Sequence, residues 1–168
     1  MASAATQLLD LMAARFALIT VANGYTEPFR SIKRARLTPF EMQDLPALNY
    51  WASDSALETK EYSFEVWQLG VIVNAYTATR DNPFLDIASR LADDLITGMH
   101  RLPSAPLTSN DEDNGLYNGD GDMVGELFVT RAAYAFGEGQ KPYCGCAIEC
   151  FIRYHVATGS PSVLLVMN

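Results

Sequence analysis

The spacing of apolar residues predicts two helices. Over residues 2–22 apolar side chains recur every three or four positions, which places Leu8, Met12 and Phe16 on one face of a helix. Asn23-Gly24 then supplies a stop, because glycine accepts a left-handed backbone at little cost. A second helix is expected from Pro83 to Met99, with Asn82 as its N-terminal cap and prolines 103 and 106 beyond its end.

The remaining apolar segments have the two-residue period of β-strands. Strands are predicted over residues 31–36, 45–51, 59–77, 123–136 and 143–157, and residues 137–142 form a turn between the last two. In the third strand the apolar parity changes after Val66, so a β-bulge is expected between Val66 and Gly70. The alternative is a strand that leaves one layer and enters another. The order α-β-β-β-α-β-β predicts an α+β fold, with a mixed, mainly antiparallel sheet flanked by two main helices.

Two further segments complete a single predicted domain spanning residues 1–168. Residues 104–122 are rich in Ser, Asn, Asp, Gly and Pro, which predicts a long, exposed acidic loop that is functional or mobile. Residues 162–168 form an apolar C-terminal tail. Exposed apolar residues at a chain end suggest a segment that docks on a neighbouring subunit or another protein.

The overall composition narrows the class of protein. Hydrophobic residues make up 49% of the chain and charged residues 19%, which is typical of a globular domain and not of a disordered one. The formal charge of −8 argues against general affinity for nucleic acid. The one basic cluster (Arg30, Lys33, Arg34 and Arg36) is spaced like the rim of a strand. No transmembrane segment is expected, because Asp10 and Arg15 interrupt the apolar N-terminal run.

Three cysteines provide the first candidate chemistry. Cys144, Cys146 and Cys150 share parity on a predicted strand whose other residues of that parity are apolar, and His155 points the opposite way. A zinc site would need a fourth ligand, and the odd number of cysteines does not suggest a disulfide framework. The pattern therefore favours core packing in a reducing compartment, with a metal- or ligand-binding domain as an open alternative.

The acidic loop provides the second candidate. A calcium loop needs a glycine at its sixth position and a glutamate at its twelfth. Counting from Asn110, the sixth residue is Gly115 but the twelfth is Gly121, so the pattern fails. Hydrolase and nucleotide-binding motifs do not occur in the sequence, and only a Cys-His pair brought together by the fold stays open. We therefore expect no enzyme activity and no cofactor.

The order of elements and three segments carry a family resemblance. Residues 45–48 read LPAL, residues 62–69 read YSFEVWQL before the second helix, and a late strand carries FIRYH at 151–155 before GSP at 159–161. This pattern, over most of the chain, resembles the lambda-type tail terminator (minor tail protein U) family of long-tailed bacteriophages. The acidic loop and the apolar tail depart from the family pattern.

The resemblance implies a non-catalytic virion protein at the head-proximal end of the tail, assembled in the host cytoplasm. It would form a ring, by family analogy a hexamer, that caps the tail tube, ends tube polymerisation and offers a surface to a neck or head-completion protein. DNA would pass without specific binding, and a negative lining would repel it. Asp111, Glu112, Asp113, Asp120 and Asp122 are the candidates for this lumen or for a contact between subunits. The alternative is a neck connector, which would share these features.

Overall fold

A computed structural model describes residues 2–26, 28–78, 84–100, 113–136 and 143–167. Within them lie two α-helices, α1 (Ala4–Phe16) and α2 (Phe84–His100), and two short 3-10 helices, Val21–Asn23 and Met42–Asp44. The strands are β1 (Ser31–Arg34), β2 (Ala47–Lys60), β3 (Phe64–Ala78), β4 (Gly115–Tyr117), β5 (Met123–Phe136), β6 (Tyr143–Ala157) and β7 (Ser160–Leu164). The predicted α+β class and element order are confirmed, and β4 and β7 are short additions.

The strands form a mixed, mostly antiparallel sheet in the order β1-β2-β3-β6-β5-β4, and β7 pairs with the end of β6. The β1–β2 pair is parallel, and the long central β3–β6 pair is antiparallel. Both helices pack on the same face of this sheet, where they meet alternate residues of β3 and β6 such as Val73 and Ile148. We call the opposite face the outer face. Neither α1 nor α2 packs on it, but Phe40 and Leu45, on either side of the second 3-10 helix, pack against Ala47, Tyr76 and Tyr143 at one end of it.

Helix α1 is shorter than the sequence predicted. The Ser3 hydroxyl accepts a hydrogen bond from the backbone N–H of Thr6, and the helix ends at Phe16, not at residue 22. Beyond it, the backbone N–H of Ile19 bonds to Phe16 over three residues, and Ile19 is still buried. A tighter turn thus continues the apolar spacing, so the spacing alone concealed the end of the helix. Gly24 does adopt a left-handed conformation, at φ 88°, but it ends the 3-10 helix.

The bulge predicted near Val66 to Gly70 is at the expected place in the sheet but on the partner strand: the irregularities lie opposite Val66 and Trp67 and opposite Gly70 and Val71. β3 pairs with β6 without interruption from Phe64 to Ala78. The register shifts lie where β2 pairs with β3, between Ala52 and Asp54 and between Leu57 and Thr59, so the extra residues belong to β2. The apolar parity changes because β3 buries residues on both faces. Val66 lies level with His155 on the outer face, whereas alternate residues from Leu69 to Ala75 pack under the helices.

Helix α2 follows the predicted pattern from Ala88 to Met99, where the apolar face is buried, although Phe84 at its first turn is exposed. The predicted cap at Asn82 and Pro83 and the predicted turn over residues 137–142 lie outside the described residues.

The acidic loop and the C-terminal tail also differ from prediction. Leu116 is fully buried in β4, so residues 113–117 are not an exposed loop, and residues 104–112 lie outside the described part of the chain. The tail pairs with its own domain through β7, and the backbone N–H of Met167 donates to the Met123 carbonyl oxygen. Met167 is buried, whereas Val163 and Val166 stay exposed. The predicted docking segment therefore packs mainly on its own domain, because β7 pairs with the end of β6.

Candidate interaction surfaces

The three cysteines belong to the buried face of β6. Cys144, Cys146 and Cys150 form no disulfide and are at most 5% exposed, and the thiol of Cys150 donates to the Val71 carbonyl oxygen at 3.5 Å. Burial raises the pKa of Cys146 and of Cys150 to about 12. Among the described residues no three His, Cys, Asp or Glu side chains are grouped as metal ligands would be. The predicted packing of the cysteines in the core is confirmed.

The raised thiol pKa values predict a loss of stability in alkali. Unfolded thiols ionise near the ordinary cysteine pKa of about 9, whereas the folded thiols of Cys146 and Cys150 stay protonated up to about 12. The folded state therefore holds more protons above pH 9, so the free energy of unfolding falls as pH rises from 9 towards 12. At pH 10 each thiol is expected to remove about 1 kcal/mol. Urea denaturation at pH 8 and pH 10 measures the change.

A variant isolates this effect from other groups that titrate in the same range. Cys146→Ala removes one thiol, so its decline between pH 8 and pH 10 should be shallower than that of the wild type by about 1 kcal/mol. An equal decline in both proteins would contradict the assignment.

Asp113, the first of the candidate lumen residues within the described part of the chain, is part of a hydrogen-bond network. One carboxylate oxygen accepts the backbone N–H of Gly115 at 2.7 Å, and the other accepts the Tyr117 hydroxyl at 2.7 Å. The bond to Asp113 is the main cause that raises the pKa of Tyr117. The backbone N–H of Asp113 also donates to the His100 carbonyl oxygen at 2.9 Å. Asp113 therefore secures β4 to the end of α2, and its carboxylate is already occupied.

A buried arginine lies next to this network. Arg15, near the end of α1, is 5% exposed and donates to the carbonyl oxygens of Met99 and Gly115. Desolvation lowers the pKa of Arg15, and the charge of nearby Asp113 opposes that shift. A single guanidinium thus joins α1, the last turn of α2 and the first residue of β4. The sequence spacing treated Arg15 only as an interruption of an apolar run.

Of the other candidate acids, Asp120 and Asp122 lie on an exposed turn between β4 and β5. The side-chain oxygen of Asn118 accepts the backbone N–H groups of both residues, at 3.0 and 2.9 Å, which is an Asx-type turn. Both residues are exposed, as a lumen or contact role would require, and one carboxylate oxygen of Asp122 accepts the side-chain amide of Asn118 at 3.5 Å. Asp111 and Glu112 lie outside the described residues. The structure brings Asp120 and Asp122 together and places Asp113 in a separate network.

The outer face of the sheet is more apolar than a solvated face should be. Phe128 stacks on Phe151 at 4.9 Å between ring centroids, and Phe64 stacks on His155 at 5.1 Å. Burial, with a smaller effect of the neighbouring Arg153 charge, lowers the pKa of His155. Trp51, Ile72 and Tyr76 also lie on this face and are half-buried. An antiparallel sheet that faces water normally alternates apolar and polar residues, so these aromatic side chains make the outer face a candidate interaction surface.

Ion pairs border the aromatic residues on the outer face. Arg153 bonds to Glu58 at 3.1 Å, and Arg131 bonds to Glu149 at 3.3 Å. These are partly exposed pairs, each worth at most about 1 kcal/mol. An aromatic centre with a polar rim is the usual composition of an interface.

At one end of the outer face, the hairpin between β2 and β3 carries an exposed aromatic residue. Tyr62 is 101% exposed, and Glu61 beside it is exposed as well. We call Glu61 and Tyr62 the hairpin tip. The sequence contained this signal as an aromatic residue between two strands, but the predicted strand over residues 59–77 enclosed it.

At the other end of the same two strands lies a cleft of about 290 Å³. We call it the aromatic cleft; its walls include Phe40, Tyr76, Tyr143, Arg36 and Asn49. The Arg36 guanidinium lies 4.5 Å from the centre of the Phe40 ring and bonds to Asp44 at 3.4 Å. Leu37, at the mouth of the cleft, is 98% exposed. Sequence reasoning missed this site, because the loop and the strand ends that form it are far apart in the chain.

The predicted basic rim is the strand next to this cleft. Lys33 and Arg34 lie on β1 at the sheet edge, and Arg34 bonds to Asp10 of α1 at 3.0 Å. Lys33 is exposed, lies level with Asn49 of the cleft, and forms no ion pair with any described residue.

No protein family model matches the sequence, and no curated protein matches it. Neither described helix is long and apolar enough to cross a membrane.

Proposed function

We propose that the chain is a structural subunit of a bacteriophage tail: several copies form a ring that caps the tail tube, ends its polymerisation and presents a surface for head or neck attachment. The observation that carries this proposal is the outer face, with aromatic side chains that neither α1 nor α2 covers. Such a face gains free energy when a second protein covers it. The resemblance of the element order and strand segments to tail terminators supplies the type of assembly.

The location in the virion follows from the same proposal. The ring sits at the head-proximal end of the tail and is assembled in the host cytoplasm. A ring that contacts both a repeating tube and a unique neck needs two unlike surfaces along its axis, and closed rotational symmetry needs two more between subunits. A hexamer fits the resemblance.

The acidic charge suits a channel through which DNA moves. A formal charge of −8 disfavours binding to phosphate groups, and the exposed turn with Asp120 and Asp122 contributes two of these charges. Asp111 and Glu112 remain candidates for the lumen or for a subunit contact. Asp113 also remains a candidate, although its carboxylate already accepts hydrogen bonds from Gly115 and Tyr117.

Removal of the gene from the phage that encodes the chain tests the proposal. We expect tails of uncontrolled length, measured by electron microscopy, because nothing would end tube growth. Tails of normal length that fail to join heads would instead identify a neck connector. The mass of the purified chain, with and without divalent cations and with isolated tail tubes, is the second measurement. A monomer under all these conditions would exclude the ring.

A further inference from the structure

The hairpin tip is held in a defined position by backbone contacts. The backbone N–H of Glu61 donates to the Phe64 carbonyl oxygen at 2.9 Å, which closes the turn. Thr158, at the turn after β6, supports it from the side: its N–H donates to the Ser63 carbonyl oxygen at 3.3 Å and its hydroxyl to the Glu61 carbonyl oxygen at 3.3 Å. An exposed tyrosine on a well-supported turn loses little conformational freedom when it binds, which is typical of an interface anchor.

The aromatic cleft is equally well defined. The side-chain amide of Asn49 accepts the backbone N–H of Arg36 at 2.9 Å and donates to the Arg36 carbonyl oxygen at 3.0 Å, so the cleft loop is fixed to β2. Arg36 also donates to the carbonyl oxygens of Thr38 and Pro39. Small-molecule sites usually measure about 300–1,000 Å³. At about 290 Å³ and open to solvent, the cleft suits one inserted side chain better than a metabolite.

We propose that the hairpin tip of one copy of this chain inserts Tyr62 into the aromatic cleft of the next copy, with Glu61 against Lys33. This inference rests on the proposed ring and names its subunit contact. The tyrosine ring meets aromatic walls formed by Phe40, Tyr76 and Tyr143. The charges are complementary, because Glu61 and Lys33 are both exposed and neither forms an ion pair with a described residue of its own chain.

The position of the two surfaces makes the contact intermolecular. Ala47 pairs with Tyr76 beside the cleft, and Lys60 pairs with Glu65 beside the tip, so tip and cleft lie at opposite ends of the β2–β3 hairpin. A strand rises about 3.3 Å per residue, which separates them by up to about 45 Å within one chain. A contact between two unlike surfaces on identical subunits is heterologous, and it closes into a ring when the rotation between subunits divides a full turn.

A disulfide trap tests the contact directly. In the double variant Glu61→Cys/Lys33→Cys, which keeps Tyr62, the new thiols can meet only between copies, because they lie at opposite ends of the β2–β3 hairpin within one copy. Mild oxidation is expected to give a ladder of covalent oligomers on a non-reducing gel that stops at the ring number. The matched control Tyr134→Cys/Lys33→Cys moves the tip cysteine to another exposed position and should give no ladder. The native thiols at 144, 146 and 150 are buried and do not compete.

Substitutions that do not rely on oxidation provide a second test. Tyr62→Ser is expected to weaken self-association about tenfold or more, measured by sedimentation, whereas Tyr134→Ser leaves it unchanged. Glu61→Lys and Lys33→Glu should each weaken it, and the double charge exchange should restore it. The Tyr62→Ser variant keeps an intact cleft, and the Lys33→Glu variant keeps an intact hairpin tip. A mixture of the two can therefore make one contact per pair of copies, so it should form dimers and no larger ring.

The outcomes separate this contact from the ring itself. If the wild type assembles and Tyr62→Ser assembles equally well, or the ladder is absent, the contact is wrong while the ring stands. If Tyr62→Ser rings form but no longer bind tubes, the tip faces the tube and the proposed contact is overturned. If the wild type remains monomeric even with tubes, the ring fails as well.

Discussion

Replacing Arg15 with alanine is expected to lower the free energy of unfolding by about 3–5 kcal/mol. The substitution removes a nearly buried cation and leaves the carbonyl oxygens of Met99 and Gly115 without their donor. It also leaves the Asp113 carboxylate without the positive charge behind it. For a chain of this size, the loss corresponds to a fall in Tm of roughly 10 °C. Urea denaturation followed by circular dichroism measures the change.

Two variants control this result. Arg15→Lys keeps the positive charge, but a lysine ammonium lacks the planar guanidinium that donates to both carbonyl oxygens. We therefore expect this variant to retain only part of the stability. Arg30→Ala removes an exposed arginine whose side chain makes no ion pair with a described residue, and its effect should stay within about 0.5 kcal/mol. An Arg15→Ala protein as stable as Arg30→Ala would show that the arginine does not join the helices to β4.

The second large effect is expected at Gly145, near the start of the central strand β6. A β-carbon at this position would lie 2.2 Å from the backbone carbonyl oxygen of Ala75 on β3, and a backbone atom cannot move aside as a flexible side chain can. Gly145→Ala must therefore separate β6 from β3 at their paired ends, where Gly145 lies opposite Tyr76. We expect a loss of about 3 kcal/mol. Thermal denaturation measures it.

The matched control is another glycine with open space around it. A β-carbon at Gly119 would meet nothing within 4 Å, so Gly119→Ala should change stability by less than about 0.5 kcal/mol. Because the aromatic cleft includes Tyr76, Gly145→Ala should also disturb the cleft if it folds. Equal stability of the two alanine variants would contradict the close approach of β6 to β3.

The apolar patterns of α2 and β6 were sufficient to predict these elements and their buried faces. In each element the apolar residues, about four apart on α2 and two apart on β6, lie on one face that packs in the same core. The apolar pattern therefore identifies the buried face. The cysteine prediction succeeded for the same reason, since Cys144, Cys146 and Cys150 share the parity of Ile148 and Ile152. The same reasoning failed for β3, because that strand buries residues on both faces and its parity does not identify one surface.

The sequence by itself determined the class of fold, the order of the long elements and the burial of the cysteines, because these depend on local periodicity. Only the tertiary structure decided the role of Arg15, whose partners lie 84 and 100 residues away. It likewise decided that Leu116 enters the core, that the C-terminal segment pairs with β6, and that a tip and a cleft lie at opposite ends of one hairpin. These features arise from contacts between distant segments, which no short window of sequence records.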